Sequence, residues 1–476
     1  MSDDITSLGA LDLSAAIHAR QVSCTEVMQA YLARIDRLNP GINALISLKS
    51  PETLLADARQ MDELAARGQW LGWMHGMPQA IKDLAATRDI RTTYGSPLYR
   101  DFQPAEDSII VERVRRAGAI VIGKTNTPEF GLGSQSYNPV HGVTRNAYDP
   151  ALCAGGSSGG AAAALAARLL PVADGSDMGG SLRNPAAYNN VFGFRPSAGR
   201  VPKYPVPEAF IEQLGVEGPM GRSVPDVARL LATQAGPDPR APLSRSDDPA
   251  VFALPLEAPM RGLRVGWLGD LEGYLPFEPG ILELCEQGLK VLADIGCEVQ
   301  ASSLGFAPQR LWEMWLTLRS CVVAGGRWDD YADPARRAQM KPEAVWEVER
   351  GRSASALDVY RASKERTAWH RHLLTLFQRF DILVLPTAQV FPFDADQHWP
   401  RTIAGREMDT YHRWMEVVIG PTLAGAPAIS VPVGFGAAGA PMGMQLIGAP
   451  GADLRVLQVA HAYDQATRWV ERRPAP

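Results

Sequence analysis

Two glycine-rich clusters, each carrying serine, stand on either side of one short helix-and-strand pattern. They occupy residues 155–160 and 177–183. Between them, the alanine-rich run 160–168 predicts a helix and 169–173 predicts a strand. In open α/β sheets, ligand sites form at the carboxyl ends of strands. This pattern therefore predicts an α/β fold with a functional loop directly after the strand.

Three side chains in and near these clusters are of the types that acyl transfer requires. Ser181 follows Gly179 and Gly180, which leave the backbone N–H groups free to converge on a developing oxyanion. Ser157 lies in the first cluster and Lys82 in an apolar segment upstream, where burial would lower its pKa. Taken singly, glycine turns and a lysine with a buried stem explain these features equally well. Together they suggest a nucleophilic serine, a relaying serine and a lysine base.

One motif resembles a nucleotide-binding loop but has the wrong local pattern. Gly118 and the run Gly123-Lys124-Thr125 match the Walker A spacing. However, the four residues between the glycines are Ala-Ile-Val-Ile, which favour a buried strand over an open phosphate-binding loop. We therefore expect a strand at 119–122 and no nucleotide site.

The first cluster also matches the G-x-S-x-G nucleophile elbow around Ser157. That motif needs a strand immediately before it and an acid and a histidine later in the chain. Residues 148–154 are a poor strand, and His461, the late histidine, lies in a helical pattern. Cys153 stands close to the cluster, but no histidine has an evident partner role for it. Both alternatives are less favoured than a serine–lysine site.

Composition limits the class of protein. The chain has 46% hydrophobic and 21% charged residues and a net charge of −5, which is typical of a soluble globular protein and argues against nucleic-acid binding. Five widely spaced cysteines, with no C-x-x-C, fit free thiols in a reducing compartment. No secretory signal or long apolar run is visible, and the eight histidines are scattered. We expect a cytoplasmic protein with no cofactor, no metal, and no membrane or nucleic-acid partner.

The rest of the chain alternates helices and strands. Residue Asp107 is predicted to cap a helix, and the proline-rich stretch 203–262 is predicted to be a connecting segment. Hydrophobic periodicity predicts helices at 5–48, 52–68, 107–117, 279–294 and 308–380, and strands at 264–268, 298–302, 382–385, 428–433 and 442–447.

Six stretches of the chain resemble the amidase signature family. They are residues 75–83, 123–130, 155–168, 177–186, 192–196 and 423–432. The resemblance implies one α/β/α domain around a large mixed β-sheet, covering residues 1–476. Its signature core would span about 70–200 and a variable, mainly helical pocket region about 203–420, after which C-terminal strands return to the sheet.

The resemblance also implies a Ser–cis-Ser–Lys triad, in which Ser181 matches the nucleophile, Ser157 the cis-serine and Lys82 the base. Two departures from the family pattern, Met178 and the pair Cys153-Ala154, leave these side chains intact. The backbone groups that match the oxyanion hole belong to Met178, Gly179 and Gly180, and the residues expected to support the site are Ser158, Asp177 and Arg183.

The implied activity is hydrolysis of a carboxylic amide through an acyl-enzyme, of the acylamide amidohydrolase type, with aryl amides, esters and carbamates as further substrates. Two alternatives stay open. One is the glutaminase (A) subunit of a glutamyl-tRNA amidotransferase, and the other is a catalytically silent binding protein on the same fold. The expected partner is a small-molecule amide, and a homodimer is left open.

Overall fold

A computed structural model describes residues 2–474, with side chains from Ile5 onward. The helices are α1 (Ser2–Ser7), α2 (Ala10–His18), α3 (Cys24–Ile42), α4 (Pro51–Ala66), α5 (Ile109–Arg116), α6 (Gly159–Ala166), α7 (Arg183–Tyr188), α8 (Val224–Gln234), α9 (Ile281–Asp294), α10 (Pro308–Ala332), α11 (Pro334–Arg337), α12 (Pro342–Ser353), α13 (Ala356–Arg379), α14 (Ile419–Ala424) and α15 (Asp453–Thr467). The strands are β1 (Leu45–Ile46), β2 (Pro78–Lys82), β3 (Ile120–Thr125), β4 (Tyr137–Asn138), β5 (Gly142–Val143), β6 (Val172–Asp177), β7 (Phe192–Arg195), β8 (Val216–Gly221), β9 (Arg264–Trp267), β10 (Glu298–Ala301), β11 (Ile382–Pro386), β12 (Thr402–Ile403), β13 (Arg406–Glu407), β14 (Ala428–Phe435) and β15 (Pro441–Ile447).

Eight strands form one mixed sheet in the order β10-β9-β11-β15-β14-β7-β8-β6. Strand β9 pairs in parallel with β10 and β11, whereas the remaining neighbours pair antiparallel. The C-terminal strands β14 and β15 lie in the middle of this sheet, as predicted. The predicted mixed α/β fold is therefore confirmed.

A second, three-stranded sheet brings in Lys82. Strand β3 lies between β2 and β1, parallel to β2 and antiparallel to β1. Lys82 is the last residue of β2, and its backbone N–H donates to Asp174 Oδ2 on β6 at 3.1 Å. The small sheet thus delivers the lysine to the edge strand of the large sheet.

Helix α6 packs between the two sheets, against β3 on one side and β6 on the other. All its residues are buried, and they are glycine, alanine and one leucine. At Gly160, an added Cβ would collide with the backbone N of Asn126 and lie 2.6 Å from Ala44 O. Small side chains are therefore what allow this helix to approach the small sheet so closely.

The strand predicted inside the Walker-like motif is confirmed. It extends from Ile120 to Thr125 and so includes Lys124. The Lys124 ammonium is buried and lies 2.6 Å from Ala85 O and 2.9 Å from Thr87 Oγ1. This lysine therefore binds groups in the protein interior and does not belong to a phosphate-binding loop.

Two local predictions need correction. The strand predicted at 169–173 lies at Val172–Asp177, because Pro171 delays its start and the strand continues to the edge of the second cluster. The predicted cap Asp107 is wrong, since Ser108 holds the N-cap position of α5. Asp107 instead accepts from Arg88 N at 2.8 Å and pairs with Arg115.

The connecting segment predicted at 203–262 is also wrong. It contains strand β8, which lies between β7 and β6 in the large sheet, and helix α8. The sequence Val-Glu-Gly-Pro-Met-Gly hides the strand, because glycine and proline are depleted in strands. Strands β1 and β7 were also not predicted. Within residues 2–474, no helix is long and apolar enough to cross a membrane.

Two separate glycine-to-alanine substitutions, one in α6 and one control, test the packing of α6. Gly160→Ala should lower the free energy of unfolding by about 1–3 kcal/mol, because the new methyl group meets backbone that cannot move aside. Gly325→Ala is the matched control, since Gly325 is an exposed position inside α10 with no atom within 4 Å of an added Cβ. That change should stabilise by up to about 1 kcal/mol.

Thermal unfolding followed by circular dichroism measures both variants. The account of α6 fails if Gly160→Ala unfolds at or above the midpoint of the wild-type chain.

Candidate active site

The amine of Lys82 lies among hydroxyl groups. Its Nζ is 2.7 Å from Ser157 Oγ, 2.9 Å from Ser158 Oγ and 3.0 Å from Ser176 Oγ, with Ser176 O at 3.3 Å. A neutral amine can accept one hydrogen bond from a hydroxyl and donate two, whereas an ammonium only donates. The hydroxyls can therefore satisfy the amine in either protonation state.

Burial makes the neutral state accessible. It lowers the pKa of Lys82 to about 7, although Asp174, Asp177 and Glu217 each favour the ammonium and raise the pKa in part. Near neutral pH a large fraction of Lys82 is thus uncharged. An amine in that state can accept a proton from the nearest hydroxyl, that of Ser157.

The first cluster fixes Ser157 by its backbone. The peptide bond between Gly156 and Ser157 is cis, and Gly155 has φ +72°, a conformation that favours glycine. Ser134 Oγ donates to Gly156 O at 2.6 Å, and Ser136 N donates to Gly155 O at 3.1 Å. These bonds turn the Ser157 hydroxyl toward the lysine.

The second cluster lies against the first. Ser158 N donates to Ser181 O at 3.2 Å, so the two loops share a backbone hydrogen bond. Ser181 is 8% exposed, and it lines the same cavity as Ser157. Its Oγ has no hydrogen-bond partner in the part of the chain that the structure describes. The structure therefore leaves the Ser181 hydroxyl open to the cavity.

Asp177 organises the second cluster. Its carboxylate accepts from Gly180 N at 3.0 Å and from Leu182 N at 3.2 Å. It also pairs with Arg183 Nε at 3.0 Å and with Arg195 Nη1 at 3.2 Å, all three side chains being fully buried. Burial alone would raise the pKa of Asp177, but the two guanidinium groups outweigh it and hold the pKa far below its usual range.

These contacts determine which of the predicted oxyanion donors have a free N–H group. Gly180 N–H points to Asp177 and is not free for a ligand. The N–H groups of Met178, Gly179 and Ser181, by contrast, donate to no group among the described residues. Gly179 lines the cavity beside Ser181 and Met178. The free donors of this loop therefore flank Gly180 on both sides.

A cavity of about 280 Å³ opens onto Ser157 and Ser181. Most of its wall is apolar or aromatic, including Tyr94, Phe130, Leu132, Val323 and Met415. The charged residues in the wall are Asp177, Lys203, Glu217 and Arg319. Its size and lining suit a small organic ligand with few polar groups.

Known proteins that are similar to this chain identify its family. The family model described as Amidase matches residues 26–457. The chain belongs to the amidase signature family. It is 35% identical to the A-subunit of glutamyl-tRNA(Gln) amidotransferase from a Synechococcus species, over 96% of each chain.

Two solved structures of this family are also similar along their whole length. One is a bacterial aryl acylamidase, with a TM-score of 0.91, 28% identity and coverage of 98% of this chain and 97% of the other. The other is a 6-aminohexanoate cyclic dimer hydrolase, with a TM-score of 0.88, 26% identity and 99% coverage of both chains. The chain is thus an amidase signature hydrolase.

Sequence reasoning missed several residues of this amidase signature site. Ser176 and Glu217 face each other across β6 and β8, Arg195 completes the Asp177 cluster, and Arg319 reaches the cavity from α10. Arg195 lies in a stretch that resembles the family, so it carried a signal. Ser176, Glu217 and Arg319 have no local sequence signal, because strand pairing and helix packing determine their positions at the cavity.

The alternative nucleophile Cys153 is poorly suited to that role. Burial raises the pKa of its thiol to about 12, and its backbone N–H donates to Phe393 O at 2.7 Å. A thiolate is the nucleophilic form, and burial disfavours it here.

Asp177→Asn tests the buried charge cluster. The change removes the charge that compensates Arg183 and Arg195, and it should lower the free energy of unfolding by about 3–5 kcal/mol. The control is Glu365→Gln, which breaks a half-exposed pair with Arg310 and should cost less than about 1 kcal/mol. Urea unfolding at pH 7 gives both values.

The pH dependence has a definite sign. Because folding lowers the pKa of Asp177, its ionised carboxylate adds to the free energy of unfolding above the unfolded-state pKa of about 3.9. This stabilisation is lost as pH falls below that value. Equal stabilities of wild type and Asp177→Asn at pH 7 would contradict this account of the cluster.

Proposed function

We propose that the chain is a stand-alone amidase that hydrolyses carboxylic amides through Ser181, Ser157 and Lys82. The observation that carries the proposal is the 2.7 Å contact between Lys82 Nζ and Ser157 Oγ, made by a lysine whose pKa burial lowers to about 7. A base with a pKa near the working pH transfers protons most effectively. The open Ser181 hydroxyl in the adjacent loop supplies the nucleophile.

The proposed reaction passes through an acyl-enzyme. Neutral Lys82 takes the Ser157 proton as Ser157 takes the proton of Ser181, and Ser181 Oγ bonds to the carbonyl carbon. The resulting oxyanion faces the free N–H groups of Gly179 and Ser181. Collapse breaks the carbon–nitrogen bond, and the proton returns through Ser157 to the leaving amine. Water then attacks the ester by the same proton route, which releases the acid and restores Ser181.

The apolar wall favours a hydrocarbon or aryl group on the substrate. This agrees with the resemblance to the bacterial aryl acylamidase, which has a TM-score of 0.91. We therefore propose acylamide and aryl amide hydrolysis first, with esters and carbamates of similar shape as further substrates. The proposal also includes a single catalytic domain over residues 1–476, a cytoplasmic location and a small-molecule substrate.

A second candidate is the glutaminase component of an amidotransferase. It is favoured by the 35% identity to the amidotransferase A-subunit over nearly the whole chain. Such a component would pass ammonia to a partner. Assays of the purified chain separate the two candidates. Hydrolysis of p-nitroanilides without a partner protein supports the amidase, whereas hydrolysis of glutamine but of no p-nitroanilide supports the glutaminase.

Two variants and a control test the proposed triad. Ser181→Ala should lower kcat by about 10⁶-fold, because it removes the nucleophile. Lys82→Met should lower it by about 10²–10⁴-fold through loss of the base. Lys124→Met is the matched control. Lys124 is also fully buried, with its pKa lowered by burial to about 8, but among the described residues its amine forms hydrogen bonds only with Ala85 O and Thr87 Oγ1 and with no serine. The folded fraction of Lys124→Met should remain active.

Labelling by a fluorophosphonate, read by mass spectrometry, gives a second measurement. Wild type and Lys124→Met should carry the label on Ser181, and Lys82→Met should react slowly. Normal turnover in Ser181→Ala would end the proposal, and absence of any label in the wild type would support a silent binding protein.

A further inference from the structure

Glu217 projects toward the active site. It stands on β8 directly opposite Ser176 on β6. Side chains of directly paired residues in neighbouring strands lie on the same face of the sheet. Ser176 Oγ is 3.0 Å from Lys82 Nζ, so that face is the one that carries the lysine. Glu217 accordingly lines the cavity with Ser157 and Ser181, and it is only partly buried.

The other charged groups of the cavity wall are compensated by neighbours. Asp177 is paired with Arg183 and Arg195. Lys203 is paired with Glu212, which lies outside the cavity wall. Arg319 Nε lies 2.6 Å from Glu347 Oε1, in a buried pair.

Glu217 differs from all of these. Among residues 2–474 it forms no ion pair and no hydrogen bond through its carboxyl group. Among the described charged residues of the cavity wall, Glu217 is therefore the one whose charged group has no ion-pair or hydrogen-bond partner.

We propose that Glu217 is a specificity-determining residue that binds an ammonium group of the substrate. The proposal rests on the function proposed above, because it takes this cavity to be the substrate site. A charged hydrogen bond to a carboxylate in a partly desolvated wall is stronger than one in water. The substrate class is thus an amide that joins an apolar segment to a primary amine.

The titration of Glu217 agrees with this role. Burial raises its pKa to about 7, Lys203 and Lys82 lower it in part, and Asp174 raises it. At pH 8 most of the carboxyl group is ionised, and an alkylammonium with a pKa near 10.4 is still charged. Preference for an ammonium should therefore be stronger at pH 8 than at pH 6.

A binding measurement on an inactive variant tests this inference independently of catalysis. In a Ser181→Ala background, calorimetry at pH 8 compares 5-aminopentanamide with hexanamide, in which a methyl group replaces the ammonium. The amine should bind about tenfold more tightly. Adding Glu217→Gln should abolish the preference. Adding Glu298→Gln should not, because it removes the same charge from an exposed position on β10.

Kinetics then show which side of the amide carries the ammonium. The acyl arm compares the p-nitroanilides of 5-aminopentanoic and hexanoic acid. The amine arm compares N-(2-aminoethyl)hexanamide with N-propylhexanamide. In one arm, Glu217→Gln should lower kcat/KM for the amine about tenfold relative to the neutral member, mainly through KM. The ratio cancels the effect that the lost carboxylate has on the pKa of Lys82, because that effect is common to both substrates.

Equal binding of the two amides, together with no effect of Glu217→Gln on the amine preference in either kinetic arm, overturns the role of Glu217. A preference for the amine that survives Glu217→Gln overturns it as well. A preference that depends on Glu217 without turnover of any amide supports that role and contradicts the amidase function instead.

Discussion

The buried amine of Lys82 is the interaction on which the proposed chemistry depends. Removing an ammonium from water is costly, and the nearby carboxylates of Asp174, Asp177 and Glu217 recover only part of that cost. The pKa of Lys82 therefore settles near 7 rather than near its usual value. The charge of Asp177 is already compensated by its ion pairs with Arg183 and Arg195.

Burial alone does not make a lysine a base. Lys124 is equally buried, and its pKa is lowered to about 8, but it contacts a carbonyl oxygen and a threonine. Lys82 instead contacts three serine hydroxyls, and two of these serines, Ser157 and Ser176, lie in the cavity wall with Ser181. The difference between a structural and a reactive lysine here is the identity of the hydrogen-bond partners.

Local sequence predicted much of this site. The glycine clusters marked Ser157 and Ser181, and apolar neighbours marked Lys82 as a residue that folding would bury. The central strands β14 and β15 were predicted too, because most of their residues are apolar. Strand β8 was not, because its glycines and proline conceal it. Glu217 was missed with it, since only the pairing of β8 with β6 turns that carboxyl group toward the lysine.

The protonation state of Lys82 can be measured directly by NMR. The chain has seven lysines, which are Lys49, Lys82, Lys124, Lys203, Lys290, Lys341 and Lys364, so labelling lysine with ¹³C at Cε gives few signals. The signal absent from Lys82→Met identifies the residue. Titration from pH 5 to pH 10 should show it losing its proton near pH 7. A Lys82 that stays charged beyond pH 9 would contradict its role as the base.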